Sequence, residues 1–381
     1  MTETRAPIPN RPIPNRWKDY WAYVPRYERW IESLGVPVHR AYAVDDLRTL
    51  EVGPWQEREC NAAVVVLLGQ ADYMETRITE IPPAATLPPY RFSLDDLIYV
   101  LAGRGLATLW NEEGGPKPTF EWQARSLFLV PRNYTLQLSN AQGHQPARLL
   151  HFNYLPMAMS IIPEPAFFFD NHDLRPTVDV FGGEEHNVYS SASFVEGARR
   201  RGRGAWVASF FPDLMAWDKM SEMGTRGVGA LNAQICLPNI TSLRVGLPTM
   251  AAGTYKKAHY HGQGAVIVVP GGEGFSVMWP QAGDGERIVV PWHEGSMFAP
   301  PNMWYHQHFN VGATTARYMT LHPARHIEPD ARGSNVQYVD EDPWIRQTFE
   351  AELAKRGVKS LMPPEIYTDP DFTWAPSEDG E

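Results

Sequence analysis

Two closely spaced histidine pairs lie in the C-terminal half of the 381-residue chain, His259 with His261 and His306 with His308. Because side chains alternate between the two faces of a β-strand, the members of each pair point to the same side. Imidazoles gathered on one side of a metal leave other coordination positions open for substrate, water or dioxygen. Such ligands suit iron, copper, nickel and zinc, so the residue types indicate a metal site without naming the metal.

Glycine, proline and asparagine residues surround both pairs at regular intervals, and Pro301 and Asn310 flank the second pair. The arrangement resembles the two signature motifs of the cupin superfamily, G-x5-H-x-H-x3,4-E-x6-G and G-x5-P-x-G-x2-H-x3-N. The resemblance implies that His259, His261 and His306 bind one divalent metal per chain inside a β-barrel.

Two positions depart from these motifs, because Ala265 replaces the glutamate and Met303 replaces the glycine. The resulting histidine-only ligand set resembles that of the gentisate and salicylate 1,2-dioxygenases, bicupins in which a tryptophan also precedes the second histidine pair, as Trp304 does here. Diketone-cleaving and thiol dioxygenases of the same superfamily are similar in their ligands. In the gentisate group the N-terminal cupin carries the metal, whereas here the C-terminal one does. The resemblance extends over about 240–325 and implies Fe(II), with Mn, Ni, Cu or Zn as alternatives.

Further side chains near the motifs are candidates for contact with a substrate. Lys257 and Gln263 share the inward parity of the histidines on the first motif strand, and Trp304 does so on the second. Arg244 lies on the strand that enters the barrel. Because a cation binds a carboxylate and tryptophan stacks on a ring, we expect Trp304, Gln263 and Arg244 to bind substrate.

Proton carriers are the second kind of candidate. His308 lies on the same face as His306, and Lys257 and Tyr255 precede the first histidine pair. Structural roles are the alternative, with Lys257 extended at a barrel mouth, Trp304 packed in the core and His308 lining the rim.

The chain contains an internal repeat. A shift of 169 residues places Gly103 on Gly272, and a shift of 170 residues places Pro131 on Pro301. We therefore expect two barrels that superpose strand for strand.

The first repeat lacks the metal ligands. The positions that correspond to the three histidines hold Tyr90, Phe92 and Leu136, and Asp96 corresponds to Ala265. Because one carboxylate cannot hold a metal alone, we expect the N-terminal barrel to be free of metal.

Strand-like segments separated by turns dominate both repeats, which predicts an all-β fold of two cupin barrels (double-stranded β-helix or jelly-roll) in tandem with peripheral helices. The predicted division has an arm and helices at 1–60, an N-terminal barrel without metal at 61–158, a connecting segment at 159–231, a metal-binding barrel at 232–326, and a C-terminal helix with an acidic tail at 327–381.

Composition restricts the partners and the compartment. A net charge of −10 argues against nucleic acid and anionic membranes as partners, and no apolar run has the length of a membrane span. Cys60 and Cys236 are too few for a disulfide framework and predict buried thiols in a reducing cytoplasm.

The repeat Pro-Ile-Pro-Asn-Arg at 7–11 and 12–16 predicts an extended arm, and we expect a homodimer.

Three functions fit the sequence. The leading hypothesis is an Fe(II) dioxygenase that uses O2 and a small substrate, a hydroxylated aromatic acid or a β-dicarbonyl compound. The second is a redox-neutral lyase, isomerase or decarboxylase in which the metal acts as a Lewis acid. The third is a bicupin that binds a metal or a small molecule without catalysis.

Overall fold

The computed structural model describes residues 25–372 except 71–72, 112–114, 116, 170, 177–188, 191, 197–203, 217–219, 223–225, 239, 263–264, 282–286 and 325–334. Two jelly-roll barrels, each built from a larger and a smaller antiparallel-rich sheet, follow one another along the chain. The prediction of two tandem all-β barrels with peripheral helices is confirmed.

In the described part of the N-terminal half the strands are β1 (Val38–Ala41), β2 (Ala43–Val44), β3 (Gly53–Trp55), β4 (Cys60–Leu67), β5 (Glu75–Ile81), β6 (Tyr90–Arg91), β7 (Asp96–Ala102), β8 (Arg104–Trp110), β9 (Thr119–Gln123), β10 (Leu127–Val130), β11 (Thr135–Asn140) and β12 (Ala147–Asn153). The remaining strands are β13 (Ser193–Val195), β14 (Ala205–Val207), β15 (Phe210–Phe211), β16 (Ser221–Glu222), β17 (Ala230–Cys236), β18 (Leu243–Met250), β19 (Thr254–Tyr255), β20 (Val266–Gly271), β21 (Gly274–Trp279), β22 (Ile288–Trp292), β23 (Met297–Phe298), β24 (Tyr305–Asn310) and β25 (Ala316–Pro323).

Within the described residues, the α-helices α1 (Arg26–Ser33), α2 (Leu155–Ile161) and α3 (Pro343–Arg356) lie outside the barrels, with 3-10 turns at Gln56–Arg58, Pro165–Phe167, Tyr338–Asp340 and Pro364–Tyr367. Helix α3 begins where the Asp342 side chain accepts the backbone N–H of Trp344 and ends at Gly357, whose φ is +67°. The predicted arm, the rest of the predicted N-terminal helices and the acidic tail lie largely outside the described residues. Among the described residues, no helix has the length and apolar character that a bilayer crossing needs.

Each barrel pairs its strands in the same way. The larger sheets run β1-β4-β5-β12-β7-β10-β15 and β13-β14-β17-β18-β25-β20-β23-β2, and the smaller ones β6-β11-β8-β9 and β19-β24-β21-β22. Strands β1 and β14, in corresponding places, are the parallel partners of β4 and β17. Each repeat therefore begins before the limits that the sequence indicated, near β1 and β14.

The two barrels exchange short strands. Strand β2 follows β1 of the first repeat but pairs with β23 of the second barrel, whereas β15 follows β14 of the second repeat and pairs with β10 of the first barrel. Between them lies a shared apolar core built from alternate residues of both large sheets, among them Ile78, Leu150, Leu247 and Leu321. This exchange joins the barrels into one packed unit, because neither large sheet is complete without the other repeat.

Corresponding turns keep the same backbone conformation even where the residue differs. Gly103 and Gly272 have φ values of +92° and +97°. At the motif glycine that the sequence lacks, Met303 adopts a φ of +61°, and Asn133 adopts +65° at the corresponding place in the first barrel. The substitution of this glycine therefore preserves the turn before β24, although a side chain in the left-handed region is strained.

The corresponding asparagines of the two repeats, Asn140 and Asn310, donate side-chain hydrogen bonds to backbone carbonyls at equivalent turns. Asn310 Nδ2 donates to the carbonyls of Met250 and Thr314 at 3.0 and 2.9 Å. Asn140 Nδ2 in the first barrel donates to Ile81 and Gln145 at 3.2 and 2.8 Å. Their identical use in both barrels explains why the repeat is visible at these positions.

Candidate metal centre

Three histidines converge on the inner face of the C-terminal barrel. The ring centroids of His259 and His306 are 4.3 Å apart, and those of His261 and His306 are 4.7 Å apart. One nitrogen from each of His259, His261 and His306 lies within 4.8 Å of the others. The structure therefore brings together the three residues that the sequence predicts as metal ligands.

Backbone carbonyls select which nitrogen of each ring can bind a metal. His259 Nδ1 lies 3.2 Å from the carbonyl of Lys257, His306 Nδ1 lies 3.1 Å from that of Trp304, and His261 Nδ1 lies 2.8 Å from that of Gly262. Because a carbonyl only accepts, each Nδ1 donates its proton and each Nε2 keeps a lone pair. The donor set of three neutral imidazole nitrogens fits a divalent transition metal.

Burial keeps two of these rings neutral. It lowers the pKa of both His259 and His306 well below the usual value, and the neighbouring imidazoles lower both further. A ring without a proton at Nε2 is the form that binds a metal, so the apolar barrel prepares the site for binding.

His308 lies next to the three ligands, on the same face of β24. Its ring centroid is 5.6 Å from that of His306. Its Nδ1 is 2.8 Å from Ser276 Oγ, which also accepts the indole N–H of Trp292 at 3.0 Å. These contacts fix the orientation of the ring in the barrel interior, as expected for a residue with the parity of His306.

A β-bulge changes the parity of the first motif strand. Tyr255 pairs with Phe309, while His259 pairs with His306. Between these two pairs the first motif strand advances by four residues and β24 by three, so the first motif strand contains one extra residue. The extra residue turns the next side chains over. The expectation that Lys257 points into the barrel is therefore wrong, and Lys256 points inward instead.

Lys256 is 3% exposed, and its Nζ donates to the hydroxyl of Tyr318 at 3.0 Å. Burial, together with the charge of Arg226, lowers the pKa of Lys256 to about 7. Lys257, by contrast, donates to Gln337 at 2.6 Å outside the barrel and lies 5.5 Å from the ring centroid of Tyr338.

Tyr255 also lies away from the metal site. Its ring stacks on Phe309 at 4.9 Å and packs against Phe349 of α3, and its hydroxyl donates to Glu341. Burial and the charge of Glu341 raise the pKa of Tyr255. The predicted role of Tyr255 as a proton carrier at the metal is therefore not supported by its position, because its side chain occupies the outer face of the sheet.

The predicted substrate-binding residues have mixed positions. Trp304 packs against the apolar cluster inside the second barrel. Arg244 pairs in register with His322, whose ring lies 6.2 Å from that of His261, and its Nε donates to the carbonyl of Pro323 at 3.0 Å. Gln263 lies outside the described residues. Trp304 and Arg244 therefore stay candidates for substrate contact.

Arg226 is a residue of this site that the sequence did not indicate. Its carbonyl accepts the backbone N–H of Lys257 at 2.9 Å, and its guanidinium donates to Asn335 at 3.3 Å. Its charge contributes to the lowered pKa of His259, His306 and Lys256. The connecting segment thus brings positive charge to the site. This tertiary contact is not predicted by any local sequence motif.

The first barrel has no such convergence at the corresponding positions among the described residues. Phe92 and Leu136 are buried apolar residues of its core, and Tyr90 packs against the same core. Asp96 accepts from His151 Nδ1 at 2.7 Å and does not meet a group of further ligands.

Comparison with known proteins gives distant likenesses among solved structures. No protein-family model matches the chain, and no functionally curated protein matches its sequence. Among solved structures, Bacillus subtilis oxalate decarboxylase, studied for its Mn(II) centres, is 12% identical with a TM-score of 0.47, covering 81% of this chain and 84% of that one. Vicilin from hazelnut, Corylus avellana, is 14% identical with a TM-score of 0.47, covering 86% and 97%.

We expect purified protein to bind one divalent metal per chain, with nitrogen ligands at about 2.0–2.2 Å. His261→Ala removes one of three ligands and should reduce the metal content, measured by mass spectrometry, to background. His293→Ala, which changes a histidine of the same barrel outside the cluster, is the matched control and should keep the metal. Two metals per chain, or full metal content in the His261 variant, would contradict this assignment.

Proposed function

We propose that the chain is a metal-dependent enzyme whose C-terminal barrel catalyses proton-transfer chemistry on a small organic anion, as a lyase, isomerase or decarboxylase does. The observation that carries this proposal is the buried amine of Lys256 inside the same barrel as the three histidines. A buried lysine is costly to keep and is typical of a functional site.

The pKa of about 7 gives Lys256 both protonation states at neutral pH. An amine with a pKa near the ambient pH can act as a general base or a general acid towards a substrate, because proton transfer is then nearly balanced in both directions. The Tyr318 hydroxyl, 3.0 Å away, orients the amine and offers a second exchangeable proton.

The rings of Tyr318 and His308 lie between Lys256 and the histidine cluster. The ring of Tyr318 lies 4.9 Å from that of His308, which lies 5.6 Å from that of His306. Lys256 and His308 are also joined through the backbone, because the Lys256 N–H donates to the His308 carbonyl at 3.1 Å. Lys256 and His308 are therefore the residues of this chain that we assign to proton transfer.

A divalent metal held by His259, His261 and His306 would supply a Lewis acid that stabilises negative charge on substrate oxygens. Arg226 adds positive charge beside the cluster, and Arg244 adds more near His322. This charge favours a substrate with a carboxylate or enolate group. The apolar residues around Trp304 would exclude water from the bound anion.

A second function, the Fe(II) dioxygenase, is favoured by Ala265. This residue is 4% exposed and stands where many cupins have a carboxylate ligand, so the ligand set stays neutral. An anionic enolate or phenolate substrate would supply the missing charge and make a ferrous centre more reactive towards O2. A hydroxylated aromatic acid and a β-dicarbonyl compound both meet this requirement.

Binding without catalysis is the third function, and the buried amine of Lys256 is the feature that argues against it. The homodimer and the cytoplasmic location predicted from the sequence stay predictions.

The lowered pKa of Lys256 predicts a pH-dependent stability. Between about pH 7 and pH 10.5 the unfolded chain carries a proton on this lysine that the folded protein lacks, so stability rises with pH. The contribution is at most about 1.4 kcal/mol for each pH unit. Urea unfolding of Lys256→Met should show a smaller rise than the unaltered chain, whereas Lys359→Met, at an exposed position, should not. Equal slopes for all three proteins would contradict the buried-amine assignment.

Oxygen dependence separates the two catalytic functions. We expect metal-loaded protein to convert a substrate from a panel of small dicarbonyl compounds and hydroxylated aromatic acids under strict anaerobiosis, and Lys256→Met to lower kcat by about 10²-fold or more. Chelation should stop the reaction and Mn(II) or Fe(II) should restore it. Turnover that requires about one O2 per substrate, is unaffected by Lys256→Met and falls sharply in Ala265→Glu would replace the proposed function with the dioxygenase.

A further inference from the structure

The three predicted metal ligands lie on two neighbouring strands, His259 and His261 on the first motif strand and His306 on β24. Around the β-bulge, backbone hydrogen bonds join these strands at two places. His259 and His306 exchange two bonds of 3.1 and 2.8 Å, and the Lys256 N–H donates to the His308 carbonyl at 3.1 Å. Because the bulge interrupts the ladder between these places, contacts from outside the pair contribute to the relative position of the strands.

Glu341, which lies outside the barrel, is hydrogen-bonded to both strands through one carboxylate. One oxygen accepts from the hydroxyl of Tyr255 on the first motif strand, and the other accepts from Gln307 Nε2 at 3.1 Å. Gln307 lies between His306 and His308 on β24, and alternation turns its side chain to the outer face of the sheet. The carboxylate therefore links the two strands on the face opposite to the metal ligands.

Both donors to this carboxylate are buried. Tyr255 and Gln307 are each 0% exposed, and Gln307 Oε1 has no hydrogen-bond partner among the described residues. Burial raises the pKa of Glu341 to about 7, and the hydrogen bonds from Tyr255 and Gln307 oppose this rise. Loss of the carboxylate would leave a buried hydroxyl and a buried amide without an acceptor, which costs more than the loss of an exposed hydrogen bond.

The C-terminal segment that presents this carboxylate runs beside the first motif strand. The Val336 N–H donates to the carbonyl of Ala258 at 2.9 Å, and the hydroxyl of Tyr338 donates to the carbonyl of Tyr255 at 2.6 Å. Helix α3 follows, and its Phe349 packs against the ring of Tyr255. The C-terminal segment therefore contacts the first motif strand through its backbone, its polar side chains and its apolar side chains.

We propose that Glu341 is a positioning residue for the metal centre: its carboxylate holds the first motif strand and β24 in the alignment in which the three histidines converge. Because coupling between two sites is reciprocal, metal bound to the histidines should in turn hold the C-terminal segment against the barrel. This role rests on the metal site of the proposed function but not on the reaction catalysed there. Metal binding, rather than turnover, is therefore the quantity to measure.

Calorimetric titration of the full-length protein with Mn(II) measures the affinity of the site. Glu341→Ala should raise the dissociation constant about tenfold or more, because the two strands lose their common acceptor. Glu341→Gln should restore the affinity to within about threefold of the unaltered chain, since its amide oxygen accepts from Tyr255 and its amide nitrogen donates to Gln307 Oε1. Ile366→Ala, the matched control, removes a buried side chain from the apolar cluster beneath the C-terminal segment. It should lower the melting temperature and leave the affinity for Mn(II) unchanged.

Hydrogen exchange of the unaltered chain tests the reciprocal effect without any variant. Mn(II) should slow the exchange of the amides at 335–345 about threefold or more and leave that of helix α1 unchanged. Unchanged affinity in Glu341→Ala, equal losses in Glu341→Ala and Ile366→Ala, no recovery in Glu341→Gln, or exchange at 335–345 that Mn(II) does not affect would overturn the proposal. The expected pattern in a chain that converts no substrate would support the positioning role and count against the proposed catalytic function.

Discussion

The constraint on which the functional structure depends is that three imidazoles must stay neutral and converge inside an apolar barrel. Burial disfavours the protonated forms of His259 and His306. The backbone carbonyls at Lys257, Gly262 and Trp304 accept from Nδ1–H of the three rings, so that each Nε2 is available. Both effects require the precise pairing of the first motif strand with β24. The same backbone contacts therefore determine how the two strands pair and which nitrogen of each histidine is available to a metal.

The β-bulge between Tyr255 and His259 also determines which lysine enters the barrel. It keeps the histidines inside while it brings Lys256, rather than Lys257, into the barrel. A charged side chain at that depth is destabilising unless it loses its proton, and the pKa of about 7 reflects this compromise. The same irregularity sends Lys257 and Tyr255 to the outer face, where they stabilise the contact with the C-terminal segment around Tyr338 and Glu341.

The sequence was sufficient for the features that depend on local spacing. The histidine cluster, the corresponding turns at Gly103 and Gly272 and the all-β architecture all follow from strand periodicity and turn residues. Lys256 was not predictable, because a β-bulge places its side chain inside the barrel and interrupts the alternation of faces along the strand. Arg226 was not predictable, because it reaches the site through a tertiary contact of the connecting segment. The exchange of β2 and β15 between barrels was missed for the same reason, since strands of two residues carry no pattern.

The two barrels share one strand arrangement but differ in the residues of their interiors. Where the second barrel gathers three neutral histidines, the first has apolar residues with an arginine-lined cleft beside them, and its Asp96 is committed to His151. We therefore expect one metal position in the chain, and anomalous diffraction from crystals of the metal-loaded protein tests this expectation most directly. We expect a single strong peak within about 2.0–2.2 Å of the Nε2 atoms of His259, His261 and His306. A peak in the first barrel, or metal bound through Nδ1 atoms or away from these histidines, would contradict the account.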